Sequence, residues 1–135
     1  MIALDTNVLA RLILRDNPAE YATALAFLGE HECSVGWSVL VELCWVLERS
    51  ARLPRDEVAI GLSMLNRLAN LAVPDPDGFE WAIERFVQGA DFADMIHLIS
   101  GASTAEGFAT FDRKLARQAG ATMPTEVLTL RGTSE

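Results

Sequence analysis

The apolar residues of this chain fall into two kinds of run, and their alternation leaves few folds open. Short runs, I-A-L-D at 2–5, C-S-V-G at 33–36, L-A-V at 71–73, F-A-T-F at 108–111 and E-V-L-T-L at 126–130, have strand length. Between them lie segments with helical spacing. T-N-V-L-A-R-L-I-L-R places Leu9, Leu12 and Ile13 on one side. Asn17-Pro18-Ala19-Glu20 opens the next helix, with Asn17 as N-cap, Pro18 in the first turn and Glu20 at the capping-box position. Ser38 is placed to cap V-L-V-E-L-C-W-V-L-E-R-S, and Leu53-Pro54 interrupts the chain before R-D-E-V-A-I-G-L-S-M-L-N-R-L-A-N. F-E-W-A-I-E-R-F-V, D-F-A-D-M-I-H-L-I-S-G-A-S-T-A-E-G and D-R-K-L-A-R-Q-A-G complete the helical set. Short strands alternating with helices imply a three-layer α/β/α fold around a short, mainly parallel central sheet.

At 135 residues the chain suits one domain, read as 1–130, with R-G-T-S-E at 131–135 as a loose tail. Hydrophobic residues make up 50% and charged residues 22%, which excludes a disordered chain. A formal net charge of -8 argues against broad adhesion to nucleic acid or an anionic membrane. It leaves room for a metal-dependent nuclease, because clustered carboxylates are how such an enzyme holds its cations. Cys33 and Cys44 lack metal-ligand spacing and read as buried free thiols of a reducing compartment. M-I-A-L-D-T-N-V has no basic region ahead of a long apolar run, and no run approaches the roughly 18 residues of a membrane span. A cytoplasmic location with no membrane partner is the expectation.

The acidic residues raise the functional question. Asp5 and Asn7 interrupt an apolar opening that looks like protein interior, where a carboxylate is costly unless paired or bound to a cation. In parallel α/β sheets ligands collect beyond the carboxyl ends of the strands, and Asp5 closes one strand while Asp112 closes another. Glu42 lies in the helix after the second strand, with Val39, Trp45 and Val46 available to pack around it. Asp91 and Asp94 share a face at a helix start. Each acid alone has a structural explanation as a cap or an ion-pair partner, and Asp91 is equally a helix cap or a metal contact. Packed together without cations they would raise one another's pKa, and a divalent ion removes that conflict. Hard oxygen ligands select Mg²⁺ or Mn²⁺ over zinc.

The stretches L-D-T-N-V-L, V-E-L around Glu42, D-F-A-D-M-I-H-L-I and A-T-F-D-R-K-L, in this order between Ile2 and about Leu115, resemble the PIN-domain family. The likeness is to the VapC-like toxin ribonucleases of toxin–antitoxin pairs. The resemblance implies a PIN-like fold and an endoribonuclease that hydrolyses RNA phosphodiester bonds. It implies metal-binding, catalytic acids at Asp5, Glu42, Asp94 and Asp112. Asp91 matches a frequent additional acid, and Asn7 and Thr110 match polar residues that support the site. As partners it implies RNA, a cognate antitoxin whose tail covers the cleft, and a homodimer or higher assembly.

Other side chains are assigned structural roles. His97, one turn after Asp94, reads as a core or interface residue. Trp37, Trp45 and Trp81, with Phe27, Phe79, Phe86 and Phe92, read mostly as core, because no alternation with basic residues marks a base-stacking platform. Most arginines, Arg49 among them, read as solvated helix surface. Two alternatives stand beside the nuclease. One is a phosphatase of the haloacid-dehalogenase type with Asp5 as nucleophile, although Asp5-Thr6-Asn7 lacks the second acid of D-x-D. The other is a non-enzymatic interaction module. G-x-G-x-x-G and P-loop patterns are absent, so nucleotide-cofactor and NTPase readings lack a phosphate cradle.

Overall fold

A computed structural model describes residues 1–132. Its backbone forms two compact units, one spanning Met1–Pro76 and a second from Asp77 onward. The expected loose tail lies mostly at 133–135, outside the described residues.

In the first unit, strands β1 (Ile2–Ala3), β2 (Cys33–Ser34) and β3 (Leu71–Ala72) pair in the order β1-β2-β3, all parallel. Helices α1 (Thr6–Leu14) and α2 (Pro18–Glu30) connect the first pair of strands, and α3 (Trp37–Trp45) and α4 (Arg55–Leu65) the second. Parallel neighbours demand such helical crossovers, so the alternation in the sequence is a direct consequence of the ladder. Helix α1 packs on α2, α3 and α4. It buries Leu9, Ala10 and Leu12 for this purpose, and α3 contributes Leu40, Leu43 and Cys44.

Asn17 caps α2 as its sequence implied, accepting the Glu20 N–H at 3.1 Å. The start of α3 differs from expectation. Gly36, not Ser38, is the N-cap, and it offers no side-chain acceptor. After Trp45 the helix widens into a π turn over Val46–Ser50, in which the Ala51 N–H reaches the Val46 carbonyl at 2.9 Å. Nothing in the apolar spacing distinguishes this turn from a continued α-helix. Both cysteines are buried free thiols, as expected.

In the second unit, α5 (Pro76–Val87), α6 (Phe92–Ala102) and α7 (Leu115–Ala119) accompany β4 (Gly107–Thr110) and β5 (Glu126–Thr129). The two strands are again parallel. Phe79 and Phe86 each meet Phe92 edge to face, with centroids 6.2 and 6.0 Å apart, the orientation favoured by ring quadrupoles. Gly120 closes α7 at φ 78°, where the Arg85 guanidinium would lie 2.9 Å from any added Cβ. The α/β class and the parallel pairing are therefore as the sequence implied, with the strands forming a three-stranded and a two-stranded sheet. Among the described residues no helix is long and apolar enough to cross a membrane.

Gly61 tests the packing of α1 on α4. A Cβ there would come within 2.7 Å of Cγ2 of Ile13, a β-branched side chain with little rotamer freedom. Gly61→Ala should therefore destabilise the protein by about 1–3 kcal/mol, despite alanine's better helix propensity. A melt of the variant at or above the wild-type temperature would show the helices are looser than described.

Candidate metal centre

Asp5 lies just past β1 and is the N-cap of α1, its Oδ1 accepting the Thr6 N–H at 2.7 Å. A carboxylate at this position also meets the positive end of the helix. Asp5 and Asn7 are both exposed, contrary to the interior suggested by the apolar opening. The buried polar residue is Thr6 between them, at 6% exposure. Its hydroxyl donates a hydrogen bond to Glu42 Oε1. Residue 6 was not singled out by the sequence, where a threonine after a strand-end aspartate looks like routine helix initiation. The signal lay in the apolar period of α1, which places Thr6 on the same inward side as Leu9, Ala10 and Leu12.

Glu42 is exposed on α3, and its turn neighbour Trp45 is 57% exposed rather than packed around it. Asn7 makes no hydrogen bond to Asp5 among the described residues. Both Asp5 and Asn7 line a cavity of about 660 Å³ walled by Val8, Ala24 and Phe27. Arg11 also lines it, with its guanidinium held 2.8 Å from Asp16.

In the second unit, Asp91 is the N-cap of α6 and accepts the Asp94 N–H at 2.9 Å. This gives Asp91 the capping role that was one of its two readings. Asp94 is half-buried, three residues into the helix. Its carboxyl is pushed above its ordinary pKa, first by burial and then by the negative charges of Asp91 and Asp112, with His97 opposing the rise. His97 is exposed, not core, and its charge acts on Asp94. Asp112 lies two residues past β4. Its N–H donates to Thr110 Oγ1 at 3.0 Å, and its Oδ1 accepts the Lys114 N–H at 2.8 Å. Thr110 thus fixes the backbone that carries a carboxylate.

Among the described residues no group of three or more His, Cys, Asp or Glu side chains is placed to hold a metal ion. The chemistry of the donors nonetheless suits a hard divalent cation. Every candidate offers carboxylate oxygen, and the mutual repulsion that raises Asp94 is the kind a cation relieves. Within the second unit, Asp94 is the acid on which two other carboxylates, those of Asp91 and Asp112, act.

Two variants separate capping from ligation. Asp91→Ala should cost about 1 kcal/mol through the lost cap, whereas Asp91→Asn, which retains an acceptor, should stay within a few tenths. The Asp94 effect has the opposite sign. A carboxyl raised in the folded chain stabilises it at low pH, and this contribution is lost as pH rises from about 4 through the folded value. Asp94→Asn should therefore melt slightly higher than wild type in EDTA at neutral pH and flatten that fall. Thermal melts across pH check both, and a lower melt for Asp94→Asn would contradict the electrostatic account.

A family model for the PIN domain matches residues 2–121. No curated protein and no solved structure gives a significant match. The matched segment takes in all four candidate acids, from Asp5 after β1 to Asp112 after β4, together with Thr110 and Asp91. The parallel α/β pairing and the strand-end and helix-start placement of Asp5, Asp91 and Asp94 accord with that match, and the chain belongs to the PIN-domain family, a nuclease-type fold.

Proposed function

We propose that the protein is a metal-dependent endoribonuclease acting on RNA phosphodiester bonds, with residues 1–130 as its nuclease domain. Asp5, Glu42, Asp94 and Asp112 are its catalytic, metal-binding acids, and Asn7, Asp91 and Thr110 support them. The observation that carries this reading is the Asp94 carboxyl, raised by burial and by two neighbouring carboxylates in a chain of a nuclease family. A structural acid has no need of such company, which disfavours the interaction module, and the phosphatase alternative is disfavoured because Asp5-Thr6-Asn7 lacks the second acid of D-x-D.

Each side chain has work to do before any cation arrives. The Thr6 hydroxyl holds one oxygen of Glu42 and so restricts the rotation of a long side chain. Asp91 takes up the Asp94 N–H and fixes the first turn of α6. Thr110 anchors the Asp112 backbone. A bound Mg²⁺ or Mn²⁺ supplies positive charge against the phosphate and lowers the pKa of water, which removes the need for a histidine base.

The biological setting we infer is that of a toxin in a cytoplasmic toxin–antitoxin pair. The cavity beside Asp5 supports it, since its apolar wall at Val8, Ala24 and Phe27 suits a hydrophobic segment of an antitoxin. An arginine from such a segment would be drawn to the acids and exclude substrate. A homodimer, or a larger assembly with the antitoxin, completes the reading.

Total RNA digested with wild type and Asp5→Asn, with every new end mapped, should yield discrete Mg²⁺- or Mn²⁺-dependent cuts for the wild type alone. Asp94→Asn should lose most of this cleavage while remaining folded, and Asp91→Asn should retain it. Equal cleavage by the Asp94 variant, or cleavage unaffected by EDTA, would overturn the nuclease assignment as drawn.

A further inference from the structure

Helix α3 and the π turn after it carry a stripe of exposed residues, Ser38, Glu42, Trp45 and Arg49, spaced by four, three and four positions. That spacing keeps all four on one face. Trp45 is 57% exposed, although a tryptophan is ordinarily among the most buried side chains by area. It follows Glu42 by roughly 4.5 Å of helix rise, and Arg49 lies roughly 10 Å along the axis from Glu42. The π turn begins at Val46, directly after the indole, and such turns are frequent at functional sites.

The charges on this face are informative because bases are scarce, with 11 Lys and Arg against 19 Asp and Glu. Arg11 is held by Asp16, Arg55 reaches toward Glu48, Arg15 lies over the Tyr21 ring and Arg85 donates to the Gln118 carbonyl. Arg49 is exposed and makes no ion pair among the described residues, as is also true of Arg52, Arg67, Arg113, Lys114 and Arg117. What sets Arg49 apart is its place one turn beyond an exposed indole.

We infer that Trp45 and Arg49 form a nucleotide subsite, the indole stacking on a base of single-stranded RNA and the guanidinium meeting a phosphate of the same strand. The inference rests on the nuclease reading and deepens it, since the strand would then run along α3 from Glu42 toward Arg49. Single-strand binders combine such an aromatic face with a positive charge, and the stacking is tolerant of sequence. A second copy of the chain is the weaker occupant. The core of a self-interface is apolar and poor in charge, whereas this stripe holds one apolar residue between a carboxylate and a guanidinium. The sequence alone hid the subsite, because Trp45 sits in an apolar segment that reads as core.

The test is binding of a short oligouridylate to the full-length chain in EDTA, where no cleavage competes. The RNA should quench tryptophan emission in the wild type, and Trp45→Phe should lose the quench while keeping most of the affinity. Trp45→Ala should bind about ten- to a hundred-fold more weakly. Arg49→Ala should reduce the slope of log affinity against log salt by about 0.7, and Arg49→Lys should restore it. With cation present, Trp45→Ala should raise KM far more than it lowers kcat. Wild-type affinity for both alanine variants, or no binding in EDTA at all, would overturn the subsite. Metal-dependent cleavage by the wild type in that case would leave the nuclease reading standing, whereas absence of any cleavage would remove both. A change in the mass of Trp45→Ala by light scattering would assign the face to a second copy and also overturn it.

Discussion

The Thr6 hydroxyl is buried, so it must find a partner, and the partner it finds is Glu42. An unsatisfied hydroxyl in that position would cost about 1–3 kcal/mol. The pairing ties the start of α1 to the middle of α3, two helices that also pack on one another. It explains how a glutamate on an exposed helix face is held in place without an arginine. Asp5, one residue earlier, is fixed by the same turn through the Thr6 N–H. Two carboxylates of the first unit therefore depend on a single residue, one through its backbone and the other through its side chain.

The second unit orients its acids with the same economy. The Asp91 carboxylate accepts the Asp94 N–H, and the Thr110 hydroxyl oxygen accepts the Asp112 N–H. The helix-start and strand-end positions supply free backbone donors, and the acids use them. What these bonds do not relieve is the repulsion at Asp94, where burial and the charges of Asp91 and Asp112 all act in one direction. Helix α6 keeps that carboxylate against the cost, with Phe92, Met95, Ile96, Leu98 and Ile99 of the same helix buried. A bound cation, as proposed above, would offset both terms.

Much of this was legible in the residues, for physical reasons that differ by element. The strands showed themselves as short apolar runs set between segments of helical period, even though β1 and most of β5 are exposed. The Asn17 cap showed itself because a side-chain acceptor followed by proline and glutamate serves few other purposes. Ser38 misled because a serine near a helix start is a good cap only when the backbone turns there, and the turn falls at Gly36. Asp5 and Asn7 looked interior because the one-dimensional apolar run gives no phase until the helix start is known. Once Asp5 is the cap, the α1 period turns Thr6 inward and leaves its neighbours outside. Trp45 and His97 were obscured in the same way, each an exposed side chain inside an apolar word. The π turn was invisible, since a one-residue widening leaves no mark on hydrophobic spacing.

The central claim is that Asp5, Glu42, Asp94 and Asp112 serve one cation-dependent function. Calorimetric titration of Mn²⁺ into wild type, Asp5→Asn, Asp94→Asn and the double variant tests it most directly. Residues that act as a set are strongly non-additive, so each single variant should lose most of the affinity and the double should lose little more. Wild-type affinity in either single variant, or losses that simply add, would contradict the account.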